Sequence, residues 1–228
     1  MALPSKVQWV TFDVYGTLID WDTGVFQAFK REAAREGFTI EDKDKAEIVR
    51  LFHEISQQVE GGSYELYAEV LRQTAVKIAK EIGWSLEPSR SGFLPDSVAR
   101  WMPFKETAPQ MKKFFGKYQT ALLSNIDDKL LGQTRRHIPG DYDLVVTAQQ
   151  VRSYKPDPAH FNEFARRIGT KKGWVHIGSS YYHDVEPCLK AKIPVIWVNR
   201  GGQALESGQK KPTEEVKTLL EAARLLGL

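Results

Sequence analysis

The chain has 228 residues, of which 42% are hydrophobic and 27% are charged, and its formal net charge is +3. A chain of this length can bury a sizeable core, either as one large domain or as a core with a smaller insert. Lysines and arginines are scattered among almost as many acidic residues, which argues against nucleic acid binding, while the mildly basic balance favours anionic partners. With one cysteine, no membrane-length apolar run and no signal-peptide pattern, we expect a cytoplasmic protein that binds no membrane.

The first predicted element is a short buried β-strand that ends on a carboxylate. The run from Val7 to Phe12 is apolar and rich in β-forming residues, Asp13 follows directly, and Gly16 introduces a turn. A carboxylate at the carboxyl end of a central parallel strand lies where open α/β sheets place their chemistry. Asp13 is therefore a candidate nucleophile or metal ligand.

Three helices are predicted next. The first extends from Asp22 to a stop at Gly37, the second covers roughly residues 43–59, and the third covers residues 64–82. The segment 85–103, rich in Ser, Pro and Arg, is interpreted as a return linker. Because this helical block interrupts an α/β pattern, we assign residues 21–103 to an inserted cap and residues 1–20 and 104–228 to the core.

Strands and helices then alternate along the rest of the chain. Four further strands are predicted at residues 118–123, 144–147, 174–177 and 193–198, with helices near 128–137, 158–168 and 184–191. A last helix, capped by Thr213-Glu214-Glu215, is expected to run to the C-terminus. This alternation predicts an α/β fold with a mostly parallel, doubly wound sheet and right-handed crossovers.

Four polar side chains follow four of the predicted strands. They are Asp13, Ser124, Lys155 and Asp184. Because the loops after parallel strands open on one edge of the sheet, we expect these groups to converge. The Lys155 ammonium would offset the two carboxylates and keep Asp13 ionised, while Ser124 and nearby N–H groups could hold an anionic substrate. Asp184 could orient a water molecule or a metal ion.

This set of motifs resembles the haloacid dehalogenase superfamily of aspartyl-nucleophile hydrolases. The resemblance covers nearly the whole chain and rests on Asp13-Val14-Tyr15-Gly16-Thr17-Leu18, Leu123-Ser124-Asn125, Lys155-Pro156-Asp157-Pro158 and Gly178-Ser179-Ser180 through Asp184. It implies a Rossmann-like core with a helical cap, and Asp13 as the nucleophile.

Tyr15 points to one branch of that superfamily. Phosphatases of the superfamily usually carry a general acid at this position, and a phenol with a pKa of about 10 is a poor proton donor at neutral pH. A halide leaving group needs no proton, so the chain resembles the type II (S)-2-haloacid dehalogenases. The resemblance implies an aspartyl ester on Asp13 that is hydrolysed by water near Thr17, Ser179 and Asp184. It further implies a small anionic substrate held at Ser124 and Asn125, no metal cofactor, and a homodimer as a common assembly.

Three positions depart from that branch. His53 stands where the branch has a cap arginine that receives the halide, and a neutral imidazole stabilises a halide less well than a guanidinium does. Tyr181 replaces an asparagine and His183 a tryptophan that help to form the water and substrate pockets. We therefore expect His53, Tyr181 and His183 beside Tyr15 in the substrate pocket, while the nature of the substrate stays open.

Two other functions are compatible with the same residues. In a Mg²⁺-dependent phosphatase acting on a small phosphomonoester, Asp13, the Tyr15 carbonyl and Asp184 would bind the metal; the missing acid at position 15 argues against it. In a binding or regulatory protein, the fold would be kept while catalysis is lost. A panel of haloacids and phosphate esters, tested with and without a chelator, distinguishes the three.

Overall fold

The computed structural model describes all 228 residues, and its core is a six-stranded parallel β-sheet. The strand order is β3-β2-β1-β4-β5-β6. The strands are β1 (Trp9–Phe12), β2 (Gln119–Ser124), β3 (Leu144–Thr147), β4 (Trp174–Gly178), β5 (Val195–Val198) and β6 (Glu214–Val216). The predicted α/β class with a parallel sheet is therefore confirmed, and the strand that precedes Asp13 is central in that sheet.

Helices cover both faces of the sheet, as parallel sheets require. On one face Phe161 and Phe164 pack near Trp174, and on the other the Phe12 ring meets the Phe114 ring edge-on at 4.9 Å. The helices of this core are α5 (Thr107–Phe115), α7 (Ala148–Val151), α8 (Ala159–Ile168), α9 (Glu186–Lys190) and α10 (Leu219–Leu225). None of the helices in the chain is both long and apolar enough to span a lipid bilayer.

The remaining helices form a second compact unit. They are α1 (Trp21–Arg35), α2 (Lys45–Glu60), α3 (Tyr67–Glu81), α4 (Phe93–Ser97) and α6 (Asp128–Thr134). This helical unit comprises Asp20–Met102 and Ile126–Arg136, and the core unit comprises Met1–Ile19, Pro103–Asn125 and His137–Leu228.

One helix groups differently from the sequence-based division, which assigns all residues after 103 to the core. The segment Ile126–Arg136 belongs to the helical unit. The carboxylate of Asp127 explains this grouping, because it accepts hydrogen bonds from the backbone N–H groups of Tyr67 (2.7 Å) and Ala68 (2.8 Å). A carboxylate at this position satisfies two of the free N–H groups at the start of α3.

Other elements differ from the sequence-based prediction for physical reasons. Residues 214–216 form the edge strand β6 rather than a helix cap, and Thr218 caps α10 instead by accepting a hydrogen bond from the Glu221 N–H. The predicted linker 85–103 contains α4 and two short 3₁₀ turns, Pro88–Arg90 and Val98–Arg100. Its side chains Leu94, Val98 and Trp101 are buried, so it packs as part of the helical unit. Helices α5 and α7 were not predicted from the sequence.

Two helical glycines provide a matched test of packing in the helical unit. A Cβ added at Gly24 in α1 would lie 2.4 Å from ring atoms of the buried Trp101, whereas a Cβ at Gly132 in α6 would meet nothing within 4 Å. We expect Gly24→Ala to lower the free energy of unfolding by about 1–3 kcal/mol, because the indole must move. Gly132→Ala should raise it by up to about 1 kcal/mol through helix propensity. Urea denaturation measures the change in unfolding free energy of each variant. Equal changes in the two variants would contradict this account.

Candidate active site

A tight turn after β1 positions Asp13. The Asp13 N–H donates to the Ile177 carbonyl (3.0 Å), which continues the pairing of β1 with β4. The chain then reverses through Gly16, whose φ of 92° lies in the left-handed region that favours glycine. The N–H groups of Leu18 and Ile19 both donate to the Val14 carbonyl, which closes the turn. The Asp13 carboxylate is thereby held at the carboxyl edge of the sheet, where it is 8% exposed.

Lys155 joins two carboxylates that are 171 residues apart in the chain. Its Nζ donates to Oδ1 of Asp13 (2.9 Å), to Oδ1 of Asp184 (2.7 Å) and to the Leu123 carbonyl (3.0 Å). The lysine side chain is 1% exposed, so all three protons of the ammonium are used inside the protein. The predicted convergence of Asp13, Lys155 and Asp184 is confirmed, and we call these three residues the charge triad.

Asp184 reaches the triad because of the backbone at Gly178. A Cβ at Gly178 would lie 2.4 Å from Cγ of Asp184, so only glycine at the end of β4 leaves room for this carboxylate. A π-helical turn, Tyr181–Val185, carries Asp184 back towards the strand, and its Oδ2 accepts a hydrogen bond from the Ser180 N–H (3.2 Å). The position of this carboxylate is therefore set by backbone atoms as well as by Lys155.

The three members of the triad have pKa values shifted in different directions. Burial raises the pKa of Asp13 above its ordinary value, against the pull of the Lys155 charge. Burial acts the same way on Asp184, but the Lys155 charge and the hydrogen bond from His176 outweigh it and lower that pKa. Burial would lower the pKa of Lys155, and the two carboxylates more than offset it. The Lys155 charge thus favours the ionised form of both carboxylates, and at Asp13 burial outweighs it.

A buried chain of hydrogen bonds supports Asp184 from behind. The Trp174 indole N–H donates to Thr11 Oγ1 (2.8 Å), and this hydroxyl lies 2.8 Å from His176 Nδ1. Because the Asp184 carboxylate can only accept, the His176 Nε2–H donates to its Oδ1 (3.3 Å), and Nδ1 is left to accept the Thr11 hydroxyl proton. His176 is not among the site residues predicted from the sequence. The available signal was a Thr and a His at paired positions of two otherwise apolar strands.

Arg200 fixes the turn that carries Asp13. Its guanidinium donates to the carbonyls of Gly16 (3.2 Å) and Thr17 (2.8 Å) and to the Glu106 carboxylate (2.6 Å). It also stacks on the Phe104 ring, 3.7 Å from the centroid. This contact was not predicted, because Arg200 and Gly16 are 184 positions apart in sequence.

Ser124 and Asn125, both predicted to bind substrate, have different surroundings. The Ser124 hydroxyl is buried and has no hydrogen-bond partner, which is unusual for a buried polar group and fits a site for a ligand. The Ser124 carbonyl accepts a hydrogen bond from His160, whose pKa is lowered by burial to about 3. The Asn125 amide instead holds the backbone of Lys155, donating to its carbonyl (3.0 Å) and accepting from its N–H (2.7 Å). Asn125 thus positions the lysine.

Three predicted residues lie close to Asp13 or at the end of β4. The buried Thr17 hydroxyl donates to Asp13 Oδ2 (2.9 Å), which confirms that it contacts the nucleophile candidate. Ser179 is partly buried, its carbonyl accepts the Trp197 indole N–H (2.9 Å), and its hydroxyl makes no hydrogen bond within the protein. Tyr15 is partly buried, and its backbone pairs with Ile19 in the turn.

Tyr181 and His183 are committed to other contacts than the sequence predicts. The Tyr181 hydroxyl donates to the Lys210 carbonyl (2.8 Å), and its ring lies edge-on to Trp197 at 5.5 Å. The Tyr181 hydroxyl thus uses its proton within the protein, and its place in the substrate pocket stays a prediction. The His183 N–H donates to Ser180 Oγ (3.0 Å), and its Nδ1 lies 3.1 Å from the same oxygen, as expected at the start of a helical turn.

His53 lies in the helical unit beside a carboxylate. Its Nε2 is 3.0 Å from Asp22 Oδ1, and its ring is edge-on to Trp21 at 4.6 Å. The side chain is 48% exposed. The imidazole is thus paired with a carboxylate, and its part in receiving a halide stays a prediction.

The carboxylates of the triad are already hydrogen-bonded within the protein. All four oxygens of Asp13 and Asp184 already accept hydrogen bonds, and the Lys155 ammonium stands between the two groups. The chain contains no cluster of three or more His, Cys, Asp or Glu residues that could hold a metal ion. Mg²⁺ prefers several oxygen ligands in near-octahedral geometry, and Asp13, the Tyr15 carbonyl and Asp184 remain the donors that the phosphatase alternative would use.

Removal of the central charge gives a pH-dependent stability test. Lys155→Met keeps the length of the side chain but leaves two buried carboxylates without a counter-charge, so we expect a loss of about 3–5 kcal/mol in unfolding free energy at neutral pH. In the wild type, the lowered pKa of Asp184 stabilises the folded state at pH values above about 3.9, the ordinary pKa of an aspartate. This stabilisation is lost as the pH falls below that value. In the variant both carboxylates take up protons more readily, so the deficit should shrink at about pH 5.

Urea denaturation at about pH 7.5 and about pH 5 measures this effect. Lys172→Met, which neutralises an exposed lysine of the same unit, is the control and should change stability little at either pH. A deficit of the same size at both pH values would show that the lysine stabilises the core by packing alone.

Comparison with known proteins agrees with this architecture. A family model described as haloacid dehalogenase-like hydrolase matches residues 7–192. The chain is 24% identical to an (S)-2-haloacid dehalogenase of Pseudomonas putida over 231 aligned positions that cover 97% of each chain. Its fold is similar to that of L-2-haloacid dehalogenase from Xanthobacter autotrophicus (TM-score 0.82, 18% identity, 96% and 98% of the two chains). It is also similar to that of a HAD-hydrolase candidate from Bacillus subtilis bound to magnesium (TM-score 0.84, 16% identity, 98% and 100%). The chain therefore belongs to the family of haloacid dehalogenase-like hydrolases.

Proposed function

We propose that this hydrolase uses Asp13 as a nucleophile that forms an aspartyl ester, and that its substrates are small 2-haloacids. The observation that carries the proposal is the charge triad, in which a buried carboxylate is held between the Lys155 ammonium and the Thr17 hydroxyl. A carboxylate can displace a leaving group from carbon when a neighbouring cation and hydroxyl orient it. The similarity to (S)-2-haloacid dehalogenases over nearly the whole chain supports the choice of substrate class.

In the first step, an oxygen of Asp13 attacks the carbon that bears the halogen. The carbon–halogen bond breaks as the carbon–oxygen bond forms, and the halide leaves with the electron pair. Tyr15 supports this assignment, because a halide needs no proton whereas the alkoxide released from a phosphate ester does. The raised pKa of Asp13 means that the attacking form is depleted as the pH falls towards the acid range.

In the second step, a water oxygen bonds to the carboxyl carbon of Asp13 and the bond from that carbon to the substrate oxygen breaks. One water proton goes to the hydroxyl of the released product and the other to the solvent, so Asp13 is a carboxylate again. Asp184 stays ionised because of its lowered pKa, which makes it a weak base but a constant acceptor that can orient the water. The free Ser179 hydroxyl at the end of β4 can provide a further hydrogen bond. Once Asp13 is esterified it is neutral, so the Lys155 ammonium balances Asp184 alone and can stabilise negative charge on the ester.

The carboxylate of the substrate is assigned to the end of β2. The buried Ser124 hydroxyl lacks a partner inside the protein, and an anion would satisfy it. The part of His53 in receiving the halide stays a prediction, since its imidazole is paired with Asp22. Metal independence, a homodimeric assembly and a cytoplasmic location stay predictions from the sequence.

A substrate panel tests the proposed function. We expect halide release from short 2-haloacids, unchanged by a chelator, and none from Asp13→Asn. The control Asp141→Asn removes an exposed carboxylate of the same unit and should keep full activity. Turnover of phosphomonoesters that a chelator abolishes and Mg²⁺ restores would replace the proposal by the phosphatase. Tight metabolite binding without any turnover would replace it by a non-catalytic protein.

The ester intermediate predicts an isotope label on one residue. In a single turnover in heavy-oxygen water, hydrolysis at the carboxyl carbon should put a solvent oxygen into Asp13, and mass spectrometry of the peptide containing residue 13 detects it. The Asp141 peptide of the same sample is an internal control and should carry no label. A label found only in the product would show that water attacks the substrate directly and that Asp13 acts as a base.

A further inference from the structure

The helical unit contains a cavity whose wall carries an excess of positive charge. It has a volume of about 590 Å³ and is lined by residues of α1 and α3 and of the segment 89–100. Five arginines but only two acidic residues, Glu32 and Asp96, belong to its wall. The arginines are Arg31, Arg35, Arg72, Arg90 and Arg100. No residue of the charge triad is among the lining residues, and we call this cavity the arginine cavity.

Glu32 holds two of these guanidinium groups in place. Its Oε2 accepts from Arg35 (2.9 Å) and its Oε1 from Arg90 (2.9 Å), while Arg90 also pairs with Glu36 (2.9 Å). The Glu32 side chain is only 9% exposed. Both of its oxygens are used, so this carboxylate orients two arginines and has no capacity left to neutralise the others.

Two further arginines have no ion-pair partner. Arg31 and Arg100 are exposed, and neither makes a hydrogen bond or an ion pair with the protein. Arg72 has only a long contact to Glu69 (3.9 Å) and packs over Gly92, where a Cβ would lie 2.7 Å from its Nη1. The absence of a side chain at Gly92 therefore lets this guanidinium lie against the backbone at the cavity wall.

We propose that the arginine cavity binds a small molecule with two or more phosphate groups. Guanidinium groups of like charge around one cavity repel each other unless an anion lies between them. The planar N–H fork of arginine matches phosphate oxygens in a bidentate way, and two of the five arginines are free to do so. The volume falls within the range of about 300–1,000 Å³ that is typical of small-molecule sites, which exceeds the need of a single inorganic phosphate.

Calorimetric titration with inorganic pyrophosphate tests the site. At an ionic strength of about 0.15 M, which screens diffuse attraction, the wild type should show saturable binding at one site per chain. The double variant Arg31→Ala/Arg100→Ala should weaken binding by about tenfold or more, because two charge-assisted contacts are lost. The control Lys77→Ala/Lys80→Ala removes two positive charges from exposed positions of α3 outside the cavity and should change binding less than about twofold.

Titrations with two further ligands identify the chemistry that the cavity recognises. Monophosphate should bind more weakly than pyrophosphate, and tighter binding of citrate than of pyrophosphate would reassign the cavity to polycarboxylates. If the alanine double variant fails to fold, Arg31→Gln/Arg100→Gln retains the hydrophilic side chains and takes its place. Absence of saturable heat in the wild type, or equal weakening in the cavity and control variants, would overturn the proposal. Binding is measured without turnover, so the result is independent of the haloacid proposal.

Discussion

The ion pairs of Lys155 with Asp13 and Asp184 are the interaction on which the rest of the site depends. Two carboxylates buried at one sheet edge would repel each other and lose their hydration, and together these effects cost several kcal/mol. One ammonium with three acceptors, at 2.7–3.0 Å, makes that arrangement stable. The same charge lowers the pKa of both carboxylates, and burial opposes it at each of them.

The fold surrounds the triad with contacts that prevent its members from moving. Asn125 holds the backbone of Lys155, Arg200 holds the turn after Asp13, and His176 holds Asp184. None of these three side chains has to contact a substrate to matter, since a catalytic group is effective only when its position is constrained. A single glycine, Gly178, adds a steric requirement, because any side chain there would displace Asp184.

Much of the fold and of the site follows from local patterns, and the exceptions have specific causes. The strand before Asp13 and the strand before Ser124 were predicted because continuous apolar runs ended by polar residues are typical of buried parallel strands. The edge strand Glu214–Val216 was missed because a short edge strand with two glutamates lacks that apolar pattern. The contact of the Tyr181 hydroxyl with Lys210 was not predicted, because the sequence does not reveal the π-helical turn that carries Tyr181.

By itself the sequence determined the α/β class, the order of the elements and the identity of the triad, because hydrophobic periodicity and residue type are local properties of the chain. Only the tertiary structure decided which partner each polar group has: that Lys155 contacts both carboxylates, that His176 and Arg200 support the site, and that five arginines surround one cavity. Hydrogen bonding and electrostatic interaction depend on distances between atoms far apart in the chain, and burial strengthens them, so they exist only once the fold has formed.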